Sequence, residues 1–470
     1  DHGAAAVEPE EVGIGRDLAV VGPRHRAVAP LVLRTVTTAP SGRVRFPPNA
    51  FGFTAPPNLC RLFGAPNDRS ATGTTPNYRL AAVQLGYSDA ERRFGDEVRS
   101  WLEQALPTLP PRPARDDWEA RRRFDTAWQR MLFDAGYAGI QWPRAYGGLE
   151  LSPAEQLVFL EELDRAGAPD VGVNFVGINH AGPTILSEGT EEQKQRYLPA
   201  ILRGDETWCQ GFSEPEAGSD LASLRTRAMR DGEEYVVSGQ KVWSTYAHVA
   251  DQQELLVRTD PDAPKHKGIT WLIVPMSSPG ITVRPIRTIA GPSEFCEVFY
   301  DDVRVPVANR VGAENDGWRV AMVTFAFERG TGFVGEITEG MRLCRAIVDA
   351  AKRNGAWDDV DVRRSIGRAA ASFEALWSLT AWNVSEAARH GVPGPGASVL
   401  KLRTGEAFQE LAEIGVDVLG RDALSTDGPV LPEYLRGFGL TIGGGTSQIQ
   451  RNIIAERVLG LPKEPPWTSN

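Results

Sequence analysis

EEYVVSG (233–239), QKVWST (240–245), ELLVRT (254–259), GITWLIVPM (268–276), GITVRPI (280–286) and EVFYDDVRV (297–305) are the runs on which the fold turns. Each is short, rich in β-branched and aromatic residues, and bounded by Gly, Pro or Asp, which is the pattern of strands joined by turns. They predict a small β domain over 206–315, in a barrel or sandwich arrangement. On both sides the period changes from two to 3.6. Upstream, Ser88-Asp89-Ala90-Glu91, Ser152-Pro153-Ala154-Glu155 and Thr190 with Gln193 are capping boxes, in which a hydroxyl and a carboxylate or amide satisfy early helical N–H groups reciprocally. Phe94, Val98, Trp101 and Leu102 then share one helical face, as do Phe124, Trp128, Leu132 and Ala135. Residues 85–205 therefore read as a helical domain. Downstream, one long helix is expected from Gly317 to Asn354-Gly355, with others over 362–390, 398–420 and 448–459. Four helices in one segment predict an antiparallel bundle over 316–463.

The order helices, strands, helices is not the alternation of a dinucleotide-binding fold, and no GxGxxG follows a strand. A nucleotide cofactor would be held some other way. The 470 residues carry a net charge of −10, which argues against nucleic acid or an anionic membrane as the main partner. No apolar run approaches the length of a membrane span. Cys60, Cys209, Cys296 and Cys344 are widely spaced, so no metal site and no disulfide framework is expected, and a reducing, cytoplasmic setting is the simplest reading. Residues 1–84, rich in Pro, Gly, Arg and Val, have neither period and are read as disordered or as an atypical extension. Residues 464–470 read as a tail.

Six motifs occur in a telling order: GFSEPEAGSDLASLRT (211–226), GQKVWST (239–245), FCEVFYDDVRVP (295–306), GAENDGW (312–318), FERG (327–330) and GGGTSQIQRNIIAERVLG (443–460). Together they resemble the acyl-CoA dehydrogenase family across roughly 85–463. The resemblance implies a mainly α fold with an N-terminal helical domain, a middle β-barrel and a C-terminal four-helix bundle. It implies FAD as cofactor and acyl-CoA thioesters as substrates, desaturated between Cα and Cβ. It also implies an electron-transfer flavoprotein-like acceptor and a dimer or a homo- or heterotetramer.

By the same resemblance, Gln210, Phe212 and Ser213 approach the flavin ring, and the Ser213 hydroxyl can hydrogen-bond its polar edge. Gly218 and Ser219 match positions near the pyrophosphate and the acyl-CoA headgroup. Trp243 matches the aromatic residue that packs on the ring, with Thr245 its polar companion. Thr446 and Gln448 match FAD contacts, in many members across a subunit interface. Arg353 is carried over to the pyrophosphate, although it lacks the Thr-Phe-Gly-like run that usually follows; as a solvated Arg at a helix C-terminus it reads equally well. Asp417-Val418-Leu419-Gly420-Arg421 replaces the usual Gln-x-x-Gly-Gly. Ser219, Arg329 and Gly444 fall at substrate positions.

Many members carry the catalytic glutamate where this chain has Gly444, which cannot abstract a proton. A minority carry it on the first helix after the strands, just before an Arg, and Glu328-Arg329 matches that place. Beside Phe325 and Phe327 such a carboxylate would be desolvated and its pKa raised toward the working range. The same two residues also suit a plain surface ion pair. The glycine-rich GGGT resembles relatives acting on branched, dicarboxylic or steroid side-chain thioesters. Two other readings stand beside the dehydrogenase: a non-catalytic or half-site subunit of a heteromeric enzyme, and a flavin monooxygenase or oxidase on the same scaffold.

Overall fold

The protein is represented by a computed structural model that describes residues 87–328, 333–390 and 396–463, the side chains of 328 and 386–390 excepted. The expectations for residues 1–84, Arg329 and 464–470 lie outside the described residues. Five helices come first: α1 (Asp89–Ala105), α2 (Trp118–Asp134), α3 (Pro153–Ala166), α4 (Gly182–Glu188) and α5 (Glu191–Arg203). All three capping boxes form. Glu91 N donates to Ser88 Oγ at 3.2 Å while Ser88 N donates to Glu91 Oε2 at 2.6 Å, and the same reciprocal pairs occur at Ser152 and Thr190. Gly167 (φ 65°) and Gly204 (φ 69°) stop α3 and α5 in the left-handed conformation that glycine adopts without strain. Phe94, Val98 and Leu102 of α1 and Trp128 and Leu132 of α2 form one apolar cluster with Val158 and Phe159 of α3. A π-helical turn, Gly177–Ala181, leads into α4.

Eight strands follow: β1 (Trp208–Gly211), β2 (Arg227–Asp231), β3 (Glu234–Thr245), β4 (Gln252–Arg258), β5 (Ile269–Pro275), β6 (Ile281–Ile286), β7 (Phe295–Pro306) and β8 (Arg310–Val311). They run as one continuous hydrogen-bonded path in the order β6-β7-β3-β2-β4-β5-β8, and β1 pairs in parallel with β4. Of the two expected arrangements this is a single sheet and not two facing sheets. It wraps an apolar core that includes Tyr235, Val237, Leu255, Val257, Leu272 and Val298. Strands β4 and β5 are buried on both faces, which accounts for the unbroken apolar run 271–275. Leu255, Val257, Leu272 and Val274 face that core, while Leu256, Ile269, Trp271 and Ile273 face helices.

The C-terminal segment departs from the sequence reading in four places. The single helix expected over 317–354 is two: α6 (Gly317–Glu328) and α7 (Val334–Asn354). Phe333, directly before α7, is non-helical, with φ −89° and ψ 1°. Moreover, α6 is not part of the bundle core. Its Val320 and Ala321 belong to the cluster of Ile185, Leu198, Trp208, Leu256 and Trp271, so it packs between the first helices and the sheet. The bundle core is built from α7, α8 (Val360–His390) and α9 (Gly396–Leu419), through Ile337, Ile347, Phe373, Leu400, Phe408 and Leu411. An additional helix, α10 (Leu431–Leu440), opens on Leu431-Pro432. The last helix, α11 (Ser447–Ile453), is shorter than expected and runs on into a π-helical turn, Ile454–Val458. Among the described residues no helix is long and apolar enough to cross a membrane, and no cluster of His, Cys, Asp and Glu could hold a metal ion.

Candidate active site

The site grows from the place where the segment after β1 meets β3. Val242 N donates to Ser213 O at 2.9 Å. That bond sets Ser213 beside the strand that carries Trp243 and Thr245. Beneath it lies an ion pair between Lys241, fully buried, and Glu214. Lys241 Nζ donates to Glu214 Oε1 at 2.8 Å and to Phe212 O at 2.9 Å. The Glu214 carboxylate also accepts from Arg225 N (2.6 Å) and Thr226 N (2.8 Å). Burial alone would raise the Glu214 pKa; Lys241 and the two backbone N–H groups outweigh it and hold the carboxyl below its usual range. Burial brings the Lys241 ammonium down to about 8 against the pull of Glu214. The sequence reading set Gln210, Phe212, Ser213, Gly218 and Ser219 against the cofactor and missed this clamp. Its only trace in the sequence is a lysine among the inward positions of a strand.

Strand β3 bulges between Lys241 and Ser244 in its pairing with β7. There Trp243 takes φ 61°, and its indole is 56% exposed, touched edge-on by Phe295 at 6.0 Å between centroids. A left-handed backbone at a bulky residue is costly, and a large aromatic side chain left in solvent is unusual. Together they describe a flat apolar face held outward, with the partly buried Thr245 next on the strand and Ser213 alongside. That arrangement fits the flavin of FAD, which needs a platform for its ring and hydroxyls for its polar edge. Behind the platform Ser244 is buried, and Cys296 Sγ lies 3.1 Å from His248 Nδ1. Burial raises the Cys296 thiol to about 11, so it stays protonated and inert.

On the other side of β1, toward the helices, Phe212 is 3% exposed and meets Phe325 in the last turn of α6, with centroids 5.8 Å apart and rings nearly perpendicular. Thr324 Oγ1 and Thr184 Oγ1, 2.9 Å apart, tie α6 to α4. Glu328 is the final residue of α6, one turn beyond Phe325. Its backbone is described and its side chain lies outside the described atoms. Gln210 reaches Glu254 Oε1 (2.8 Å) and His180 Nδ1 (3.1 Å) through its amide nitrogen. No sequence signal singled out His180 or Glu254. A Gln-Gln-Glu run opening a strand looks like a turn, yet 252–254 are all buried.

The remaining candidates share no hydrogen bond with Ser213, Trp243 or Lys241 among the described residues. Gly218 and Ser219 are exposed, and a Cβ on Gly218 would meet nothing within 4 Å. Arg353 is exposed in the last turn of α7. Thr446 caps α11, its hydroxyl accepting from Ile449 N at 3.2 Å, and Gln448 is exposed in the first turn of that helix. Gly444 takes φ 65°, and its carbonyl accepts from the buried Gln450 amide at 2.9 Å.

Residues 88–205 match the family described as "Acyl-CoA dehydrogenase, N-terminal domain", 209–303 its middle domain and 315–459 its C-terminal domain. The acyl-CoA dehydrogenase IpdE1 of Mycobacterium tuberculosis is 41% identical over 384 residues, covering 79% of this chain and 98% of the relative. Among solved structures, the ChsE4-ChsE5 complex from Mycobacterium tuberculosis matches with a TM-score of 0.70 and 35% identity, over 81% of this chain and 100% of that one. The protein described as "Tcur3481-Tcur3483 steroid ACAD" matches with a TM-score of 0.69 and 34% identity, over 81% and 100%.

Proposed function

Because the chain belongs to the acyl-CoA dehydrogenase family, an FAD-dependent family of oxidoreductases acting on CH–CH groups, we propose that it desaturates an acyl-CoA thioester between Cα and Cβ with Glu328 as the base. The observation that carries this reading is the seating of α6. Phe325 against Phe212 and Thr324 against Thr184 fix the helix that ends in Glu328 next to the segment 210–213. FAD, when bound, accepts the hydride that leaves Cβ. The protein's own part is positional: Trp243, Ser213 and Thr245 hold the cofactor edge, Lys241 and Glu214 keep those two segments in register, and the carboxylate of Glu328 takes the α-proton. Gly218, Ser219, Arg353, Thr446 and Gln448 complete the cofactor contacts in this reading, with Ser219, Arg329 and Gly444 on the thioester side. This is the branch of the family whose base does not sit before the GTSQIQR motif. An electron-transfer flavoprotein-like protein reoxidises the cofactor, in a cytoplasmic setting that suits the free thiols of Cys209, Cys296 and Cys344. The substrate class is a bulky, steroid-derived thioester, by likeness to the steroid enzyme above.

Glu328→Gln is the direct test. Anaerobic addition of substrate bleaches the flavin of the wild type. The variant is expected to remain yellow and to lose bleaching rate by roughly 10²–10⁴-fold, the usual contribution of a positioned base. Undiminished bleaching removes Glu328 from the mechanism.

A second reading, a half-site subunit, is favoured by Gly444 and by the ChsE4-ChsE5 complex, a named pairing of two chains. Phe438, Ile442, Leu459 and Leu461 are 43–64% exposed near the chain's end, an apolar surface that a partner chain would cover. Light scattering on the purified protein is expected to give at least a dimer, and Ile442→Asp to lower that mass. If the chain alone is monomeric and colourless, but turns yellow on addition of a second acyl-CoA dehydrogenase chain, the half-site reading replaces the first.

A further inference from the structure

Three regions converge on the end of β3 that carries the cofactor platform. Tyr246 follows Thr245 directly. Its N–H donates to Glu294 O at 2.7 Å, and its ring centroid lies 5.4 Å from that of Trp118 at the start of α2. Phe295, the residue after Glu294, pairs with Thr245 and meets Trp243 edge-on. The bundle reaches the same place through charge. Arg436 of α10 donates to Glu433 on its own helix and to Glu339 of α7. Its guanidinium also attracts the carboxylates of Glu294 and of Glu336, which stands in the first turn of α7. Arg115, ahead of α2, closes the cluster on Glu433 at 3.3 Å.

Glu336 faces Glu339 on its own helix, Arg436 on α10 and Asp170 after α3. Around them stand Glu294, Glu433, Arg115 and Arg121, with Arg342 beside Glu339. Arg436 is the cation these carboxylates share, and its hydrogen bonds to Glu433 and Glu339 are already made. Burial first, then the neighbouring Glu339 and Asp170, raise the Glu336 carboxyl to about 7 against the pull of Arg436. Burial raises Glu339 and Glu294 as well. A protonated Glu336 adds no charge to the cluster. An ionised one adds a negative charge that Arg436 is not free to pair, and the cheapest relief is water entering between α7, α10 and the end of the sheet.

We propose that this cluster is a proton-sensitive latch on the cofactor: with Glu336 neutral it holds the bundle against the end of the sheet that carries the platform, and with Glu336 ionised it loosens and FAD is released faster. The folded value lies above the ordinary carboxylate value of 4.5, so the closed latch is fully favoured below about pH 4.5 and weakens as pH rises through about 7. The inference rests on the placing of FAD at Ser213, Trp243 and Thr245, and not on the chemistry assigned to Glu328.

The test is the rate of FAD release from the holoenzyme as purified, followed by the rise of flavin fluorescence on dilution, from about pH 6 to pH 8 at one ionic strength. FAD leaves through local opening, so the rate follows the population of the open state. One proton held with a pKa of about 7 in the closed state and 4.5 in the open one predicts a rise of about tenfold over that range. In Glu336→Gln the rise is expected to flatten, with release slow throughout. Glu339→Gln removes a negative charge beside Glu336 and leaves Arg436 freer to attract it, so there the rise is expected at lower pH. A wild-type rate that does not change with pH overturns the inference, and so does an undiminished rise in Glu336→Gln. If Glu336→Gln does not fold, Glu339→Gln decides, and an unshifted rise rejects the latch. Failure of the dehydrogenase reading shows in bleaching by substrate, which this measurement does not use.

Discussion

Lys241 is the side chain on which the cofactor junction closes. An ammonium with no exposure survives there because a carboxylate and a carbonyl both accept from it, and Glu214 in turn receives two backbone N–H groups. Removing one member leaves the other charge buried without its partner, which typically costs about 3–5 kcal/mol. Lys241→Met should therefore lower the thermal midpoint markedly and release FAD, whereas Lys241→Met with Glu214→Gln should recover part of the loss. Differential scanning calorimetry on both variants checks this, and equal midpoints for the single and double variants would contradict it. Neither this pair nor the His180–Gln210–Glu254 trio was legible beforehand. Glu214 and Lys241 are separated by 27 positions and Gln210 and Glu254 by 44, and only the sheet brings them together. That the segments of Ser213 and Trp243 lie side by side was easier to anticipate, because each sits in a motif whose order along the chain is itself informative.

At the level of elements, the sequence was most readable where the signal is local. The capping boxes at Ser88, Ser152 and Thr190 each involve residues three apart, and all three form. Strand runs were equally plain, since alternation and bounding glycines lie within ten residues. What could not be read was the partner of α6. Its composition is that of any buried helix, and its packing against α4 and β5 instead of the bundle is decided by surfaces far away in sequence. Helix approach also depends on single small residues. A Cβ on Gly340 of α7 would lie 2.1 Å from the ring of Phe373 on α8, so the two helices touch only because that atom is missing. Gly340→Ala should force them apart and destabilise the protein by about 1–3 kcal/mol, read from urea unfolding. Gly335, on the same helix, has nothing within 4 Å of the equivalent point, and Gly335→Ala should be neutral or slightly stabilising.

Across the molecule, the three regions meet at a cluster of charges around Arg436. Its guanidinium donates to Glu433 Oε2 at 2.8 Å and to Glu339, and Arg115 from the N-terminal helical region reaches Glu433 at 3.3 Å. Burial raises Glu336, Glu339 and, ahead of β7, Glu294, each against the attraction of Arg436, and Glu336 reaches about 7. For Glu336 the folded value lies above the ordinary carboxylate value of 4.5. Its contribution is thus fully present below about pH 4.5 and is lost as pH rises through about 7. Trimmed for the partial exposure of the side chain, the change is about 1–2 kcal/mol. The thermal midpoint should fall between about pH 5.5 and pH 8, and Glu336→Gln should flatten that slope in a pH-stepped melting series. A midpoint that rises over this range would rule out the assignment.

Gly444 turns left-handed, at φ 65°, with its carbonyl fastened to Gln450. A residue with a Cβ would be strained there by about 1–2 kcal/mol whatever its chemistry. Under the reading proposed for Glu328, a glutamate placed at 444 in a Glu328→Gln background would carry that strain, and directed evolution from such a variant should select changes in the surrounding loop along with the new carboxylate.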